Sequence, residues 1–295
     1  ILFRKKKIKI QELKNSSLID FDIVFFSAGS EISKKYAPIA EKNGSLVIDN
    51  SSAFRMKKNV ALVVPEINSK DISKYKSRII ANPNCTTIIS LMAIKPLYDL
   101  GLIKRIVATS FQSVSGAGNL GMSELILNTK KFIEGNKKNK NKVFEKNIAF
   151  NVIPKIGKIT KNLYSEEEMK LHNESRKILS DNKILITATT VRVPVIRSHS
   201  ISLNIEFYKS ISLNKAKKAL SNFPGLQLIG INQKMSYPTP SDCSNKDDCL
   251  VGRLREDYSV TNGLSLWVVG DQIRKGAALN AVQIAESLQE NLFLL

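Results

Sequence analysis

Cys85 stands in the stretch ANPNCTTI, where one apolar run ends in a turn carrying a proline and two asparagines and another begins. A thiol in the first turn of a helix meets unpaired N–H groups and the positive end of the helix dipole, and both stabilise thiolate. Pro83 disfavours helical backbone in the residue before it, so a helix is expected to start at Asn84 or Cys85, with Ile88, Ile89 and Met92 as its inward stripe. A lowered thiol pKa is the corresponding expectation. Cysteine is also among the residues most often buried for packing, so the nucleophile reading needs partners.

A thiol nucleophile needs a group that moves protons, usually histidine. The chain has two histidines. His172 lies in the polar stretch EEEMKLHNESRK and reads as a surface residue. His199 lies in VRVPVIRSHS, at a break between two strand-like segments. Arg192 and Arg55 are candidate clamps for a carboxylate or phosphate, which guanidinium matches with a two-pronged fork, although spacing alone does not separate them from solvated arginines. SFQSVSGAGNLG is glycine-rich and follows a strand-like run, so its backbone can approach a ligand closely, a weak signal by itself. No metal cluster is expected: Cys243 and Cys249 share a loop without a second ligand pair and read as surface loop thiols.

These residues need a frame. DIVFFSAGS, SLVIDNSSAF, VALVVPEIN and SRIIANPNC are short apolar runs ending in turns, and EISKKYAPIAEKNG is an amphipathic helix stopped by Gly44. That alternation predicts a parallel sheet covered on both faces, with ligands beyond the carboxyl ends of its strands. The turns SAGS, DNSSAFR and NPNC all fall there. From about residue 105 the texture changes to longer alternating stretches rich in Val, Ile and Thr, as in IVATSFQSVSGAG, KILITATTVRVPVIRSHSISLNIEFY and LSLWVVGDQI, which predict a mixed or antiparallel sheet. Helices are expected over LGMSELILNTKKFI, over SEEEMKLHNESRKIL with its acidic first turn, and at the end over GAALNAVQIAESLQENLF.

At 295 residues the chain can form two domains. Three cysteines are too few for a disulfide scaffold and fit a reducing compartment, so a cytoplasmic location is expected. No apolar run of bilayer length is present, so no membrane partner is expected. The net charge of +19 raises nucleic-acid binding, but the basic residues are scattered, and the densest block, GNKKNKNK at 135–142, has no interleaved aromatic residue. It reads as a solvated loop, and the basic surface is expected to favour anionic substrates.

Taken together, the ordered set FFSAGSEISKKYAP, VIDNSSAFRM, LVVPEIN, ANPNCTTI, FQSVSGAG, IAFNVIPKIG, SEEEMKLHNESRKIL, TTVRVPVIRSHS, YPTP, VGRLRED and RKGAALNAVQIAE resembles the aspartate-β-semialdehyde dehydrogenase family from residue 22 onward. The resemblance implies an α/β fold like that of glyceraldehyde-3-phosphate dehydrogenase: a Rossmann-type NADP-binding domain from 1–85 and 271–295, and an α+β catalytic and dimerisation domain with a mixed sheet from 86–270. It implies reductive dephosphorylation of L-4-aspartyl phosphate to L-aspartate-4-semialdehyde with NADPH and no metal, a step toward lysine, threonine, methionine and isoleucine, and a homodimer or tetramer. Cys85 corresponds to the nucleophile, His199 to the acid/base and Gln112 to the amide that positions the intermediate. Glu167 corresponds to the ligand of the substrate amino group, Arg192 to the carboxylate clamp, and Lys170, Arg55 and Asn84 to the phosphate site. Cofactor contacts fall on Ser27, Ala28, Gly29, Ser115, Gly116 and Asn280.

Two departures qualify this. No glycine-rich phosphate turn precedes residue 22, and the chain begins with Ile1, so it is expected to begin inside a domain and to bind cofactor poorly or not at all by itself. The SDCSNKDDC loop carries two cysteines beyond the family pattern. An N-acetyl-γ-glutamyl-phosphate reductase is the nearest rival enzyme, but its motif usually has glycine before the cysteine, where Asn84 stands here. The Ser-Cys-Thr-Thr-Asn motif of glyceraldehyde-3-phosphate dehydrogenase is absent. An inactive paralogue serving as a binding or structural subunit is the non-enzyme rival.

Overall fold

A computed structural model describes residues 1–135, 141–230 and 237–292. Most of the lysine-rich block read as a loop, residues 136–140, lies outside the described residues. A short antiparallel pair, β1 (Leu2–Phe3) and β2 (Lys6–Lys7), precedes β3 (Ile23–Phe26), α1 (Ser30–Lys42), β4 (Leu46–Asp49), β5 (Ala61–Leu62), α2 (Pro65–Asn68) and β6 (Ile79–Ala81). β3 to β6 form a four-stranded sheet in the order β3-β4-β6-β5, with every neighbouring pair parallel. α1 ends as expected at Gly44, whose φ of +92° suits a residue without Cβ. The run VALVVPEIN contributes only two strand residues, because Pro65 opens α2 at its first position.

β4 and β6 are buried as the two-faced sheet requires, but β3 is an edge strand whose Phe25 is 47% exposed. β6 leads through Asn82 and Asn84 into α3 (Cys85–Tyr98). The expected stripe of Ile88, Ile89 and Met92 is only part of its buried surface. Every residue from Thr86 to Ile94 is buried, because TTIISLMAI is apolar or small all round and packs between the helices Glu166–Ile178 and Leu213–Asn222 and the strands His199–Phe207, Cys249–Glu256 and Gly263–Gly270 of a second sheet.

The second sheet is built from β7 (Ile103–Gln112), β8 (Leu185–Arg192), β9 (His199–Phe207), β10 (Leu226–Leu228), β11 (Cys249–Glu256) and β12 (Gly263–Gly270), with α4 (Gly118–Ile133), α5 (Glu166–Ile178), α6 (Leu213–Asn222) and α7 (Pro240–Cys243) in the connections. Its order is β10-β11-β12-β9-β7-β8. β7–β8 and β10–β11 are parallel and the other pairs antiparallel, so the sheet is mixed. Burial alternates along β7 and β9, the period-2 pattern of a sheet with one face in the core. A π-helical turn, Arg274–Ala278, then leads into α8 (Leu279–Leu292), whose Ala281 and Ile284 pack with Ile48, Ala61, Val63 and Ile80 of the first sheet.

Two readings are corrected. Cys243 and Cys249 are not surface thiols: both are fully buried, at the end of α7 and the start of β11. Burial pushes the Cys243 thiol up to about 11 and the Cys249 thiol further. His172 is half-buried, and its Nδ1 donates to the Ile186 carbonyl at 2.9 Å, tying α5 to β8.

Candidate active site

Strand direction gathers the site. β6 ends just before Asn84 and Cys85, at the carboxyl edge of the parallel sheet, and Arg55 lies in the turn after β4. In the mixed sheet β7 and β8 run parallel, so Gln112 and Arg192 at their carboxyl ends are register partners. β9 runs the other way and therefore starts with His199 at that same edge. α5 contributes Glu167, Lys170 and Glu174 from one face, since positions three and seven apart recur on a helix. Its start is set by Ser165 and Glu168, which form a capping box.

The head of α3 is the junction. The Asn84 Oδ1 accepts the N–H groups of Thr86 (2.9 Å) and Thr87 (3.2 Å), capping the helix on which Cys85 is the first residue. Its Nδ2 donates to Glu167 Oε1 at 2.9 Å, and its backbone N–H donates to Glu174 Oε2 at 2.7 Å. Glu167 also accepts from Gln112 Nε2 (3.2 Å) and Lys170 Nζ (3.0 Å). The Gln112 amide donates a second hydrogen to Thr86 Oγ1 at 2.8 Å. Arg55 is buried and pairs with Glu174 at 3.1 Å while donating to the carbonyls of Asn82 and Asn50. Arg192 is also buried; its Nη1 donates to the Ser113 carbonyl at 2.6 Å and its guanidinium lies 5.9 Å over the Phe144 ring.

Two glycines make room. A Cβ on Gly276, in the π-helical turn, would stand 3.0 Å from the Cys85 Cβ. A Cβ on Gly116 would stand 2.9 Å from Arg192 Nη1 and 3.2 Å from the His199 ring. His199 is fully buried; its Nδ1 accepts from the Ser113 N–H at 3.2 Å, while its Nε2 has no partner.

The electrostatics correct one expectation. The Cys85 thiol pKa is not lowered. Loss of hydration pushes it up to about 11, reinforced by the Glu167 carboxylate, and the opposing pull of Arg55, Thr86 and Arg192 does not overcome these. Burial, then the Arg192 charge, brings the His199 ring down to about 3, so it is neutral at physiological pH. For Glu167, burial works upward, but the Lys170 charge and the hydrogen bonds from Asn84, Lys170 and Gln112 prevail and hold the carboxyl below its ordinary range. Glu174 is raised, because burial outweighs Arg55 and the Asn84 N–H.

All the residues read as catalytic or substrate-binding thus converge here, in contact or within electrostatic reach. The cofactor residues fall in separate places. Ser27, Ala28 and Gly29 form an exposed turn at the end of β3. Gly29 has φ +93° with open space where a Cβ would sit, and α1 starts there without a side-chain cap. Those features fit a dinucleotide backbone approaching uncapped N–H groups. Ser115 and Gly116 border His199. Asn280 is fully buried, with its Nδ2 on the Val63 carbonyl and Asn82 Oδ1 and its Oδ1 on Lys275 Nζ, so it braces the wall beneath the site. Among the described residues no group of three or more His, Cys, Asp or Glu is placed to hold a metal.

Sequence reasoning missed Glu174, Ser113 and Gly276. Glu174 was available as the residue seven after Glu167 on the same helical face. Ser113 directly follows β7 and Gly276 lies in the π-helical turn, and neither carries a further local signal.

Comparison with known proteins gives the family. Residues 2–75 match the family model described as semialdehyde dehydrogenase, NAD binding domain, and residues 94–275 match semialdehyde dehydrogenase, dimerisation domain. The chain is 48% identical over 292 residues to an aspartate-semialdehyde dehydrogenase of Synechocystis sp., covering 99% of this chain and 86% of that protein. It is 46% identical to the Aquifex aeolicus protein of the same name, covering 98% and 85%. The crystal structure of aspartate semialdehyde dehydrogenase II from Vibrio cholerae superposes with a TM-score of 0.92 at 43% identity, covering 98% of this chain and 85% of that one. The fold and site define an oxidoreductase with a nicotinamide-cofactor domain and a dimerisation domain. The chain belongs to the aspartate-semialdehyde dehydrogenase family.

Proposed function

We propose that the chain reduces L-4-aspartyl phosphate to L-aspartate-4-semialdehyde with NADPH, releasing phosphate, as a cytoplasmic homodimer on the route to lysine, threonine, methionine and isoleucine. The observation that supports this is the meeting at the head of α3 of one thiol with the carboxylate of Glu167, the ammonium of Lys170 and the guanidinium groups of Arg55 and Arg192. An acyl phosphate bearing an amino group and a carboxylate presents the complementary charges.

In this reading Cys85 sulfur attacks the acyl carbon, the bond from carbon to the phosphate oxygen breaks, and the phosphate departs carrying the thiol proton, which leaves a thioester on Cys85. Arg55 and Arg192 favour the thiolate form that this step requires. NADPH, when bound, supplies the hydride that reduces the acyl group. His199 Nε2 faces the oxygen on which negative charge then develops, and the electron pair of the carbon–sulfur bond returns to Cys85 as the aldehyde leaves. Gln112 positions the acyl group beside Thr86, Glu167 takes the substrate ammonium, Arg192 its carboxylate, and Lys170, Arg55 and Asn84 the phosphate. Arg192 also borders an open cavity of about 420 Å³, together with Phe144, Ile153, Lys155, Lys158 and Glu166, a volume within the range of small-molecule sites. Ser27, Ala28, Gly29, Ser115 and Gly116 are assigned to NADP(H), with Asn280 as support.

The test is phosphate-dependent oxidation of L-aspartate-4-semialdehyde, set against N-acetyl-L-glutamate semialdehyde, with NADP and with NAD. Selective turnover of the aspartate compound with NADP supports the assignment. Equal or faster turnover of the N-acetyl compound contradicts it.

A further inference from the structure

The hydrogen bonds behind His199 have a direction that can be read from donors that cannot reverse. A backbone N–H only donates. The Ser198 N–H lies 2.8 Å from Gln272 Oε1, which turns the Gln272 Nε2 toward Ser115 Oγ, its hydrogen-bond partner. Ser115 Oγ therefore accepts, and its own hydrogen is free for Ser113 Oγ, 3.0 Å away. Ser113 Oγ in turn stands 3.1 Å from His199 Nδ1. At that same nitrogen the Ser113 N–H, another fixed donor, arrives at 3.2 Å. If Ser113 donated to Ser115 instead, lone pairs on Ser113 Oγ and Nδ1 would oppose each other, and the Ser115 hydrogen would lose its acceptor.

We propose that Gln272, Ser115 and Ser113 form a one-way hydrogen-bond relay that keeps the His199 hydrogen on Nε2. The ring then meets substrate as a hydrogen-bond donor to an oxygen, not as the acceptor of the Cys85 proton. Nε2 is buried without a partner and lies 3.3 Å from the position of a Cβ on Gly116, so it faces the space that glycine leaves open. The charged groups acting on the ring are Arg192, which disfavours its protonation, and Glu167 and Asp271, which favour it. Asp271 is engaged by Arg197 and by the N–H groups of Asn245, Ile273 and Arg274, so it does not compete for Nδ1. A neutral imidazole has one N–H, and the relay decides which nitrogen carries it. Gln272, Ser115 and Ser113 are positioning residues that act through His199. The inference deepens the proposed reaction by assigning the His199 hydrogen to the developing oxyanion, and to that extent it rests on that reading.

The relay is a property of the free enzyme and is tested without turnover. Full-length protein labelled with 15N-histidine is observed by long-range 1H–15N NMR at about pH 7.5, with His172→Asn assigning the two rings. His172 is an internal contrast, because its Nδ1 donates to a carbonyl and must carry the hydrogen. The expected spectrum shows an unprotonated, pyridine-type Nδ1 and a protonated, pyrrole-type Nε2 for His199, opposite to His172. Gln272→Glu keeps an acceptor for the Ser198 N–H but offers Ser115 an oxygen, which reverses the relay. It is expected to move the His199 signals toward Nδ1–H or the doubly protonated ring and to lower kcat about tenfold or more with a smaller change in KM. Ser115→Ala, which breaks the relay at its middle, serves if that variant does not fold. A pyrrole-type Nδ1 on His199 in the unaltered protein overturns the proposal, and so does a spectrum that neither variant changes. Failure to turn over aspartate semialdehyde would sink the proposed reaction while leaving the NMR result standing.

Discussion

Asn84 caps the helix that begins at Cys85 and, with the other end of the same amide, holds Glu167: Oδ1 takes the Thr86 and Thr87 N–H groups, and Nδ2 donates to Glu167 Oε1 at 2.9 Å. One side chain therefore couples the orientation of the helix that starts at Cys85 to the carboxylate assigned to the substrate ammonium. Asn84→Asp retains the cap but sets two carboxylates against each other. It is expected to lower kcat/KM about 10- to 100-fold, as small misplacements of reacting groups do. Asn84→Ala removes the cap and is expected to cost about 1 kcal/mol of stability as well. Steady-state kinetics and urea unfolding of both variants check the distinction.

The thiol of the free enzyme should be unreactive at neutral pH. With Cys85 pushed up to about 11, its alkylation rate by iodoacetamide is expected to climb with pH without levelling off below about pH 9. Because Glu167 repels the thiolate, Glu167→Gln shifts the profile to lower pH. A plateau near neutrality in the unaltered protein, or an unmoved profile in the variant, is the contrary result. Cys243 and Cys249 are buried, and Cys85→Ser provides the background.

His199 carries a stability signature. Its folded ring is held near 3, against about 6.5 in an unfolded chain. Between those values the unfolded chain binds more protons, so folded-state stability falls as pH drops through that window. His199→Gln lacks this term. The unaltered protein is expected to lose about 2 kcal/mol more than the variant between pH 7 and 5, read from urea midpoints at both pH values.

Gly276 brings the π-helical turn against Cys85. A methyl group there would stand 3.0 Å from the Cys85 Cβ. Gly276→Ala is expected to reduce kcat about tenfold or more with a small change in melting temperature. Gly270→Ala places its Cβ 2.5 to 2.9 Å from three Ile89 atoms in the core and is expected to cost about 1–3 kcal/mol of stability. Paired melting curves and kinetics separate the two effects.

Much of this was legible in the residue order. Apolar runs ending in SAGS, DNSSAFR and NPNC identified a parallel sheet with its turns at one edge, because strand ends in such a sheet share a direction. The helix start at Cys85 followed from Pro83 and Asn84. What stayed hidden depends on three-dimensional closure. The thiol's raised pKa comes from burial and from Glu167, 82 positions away in the sequence, which no local motif reports. β7 pairing parallel with β8 and antiparallel with β9, which brings Gln112, Arg192 and His199 to one edge, is likewise a property of sheet order. Cys243 and Cys249 sit in a polar loop by sequence, yet the packing of α7 and β11 on β12 buries them.

In the proposed reaction Cys85 carries the acyl group. The most direct measurement is a single-turnover reaction of the full-length enzyme with L-aspartate-4-semialdehyde and NADP in the absence of phosphate, followed by acid quench and peptide mass analysis. The expected result is a burst of NADPH no larger than the number of active sites, an acyl group on the peptide containing Cys85, and neither in Cys85→Ser. A burst with unmodified Cys85, or phosphate-dependent turnover by Cys85→Ser near the unaltered rate, would contradict it.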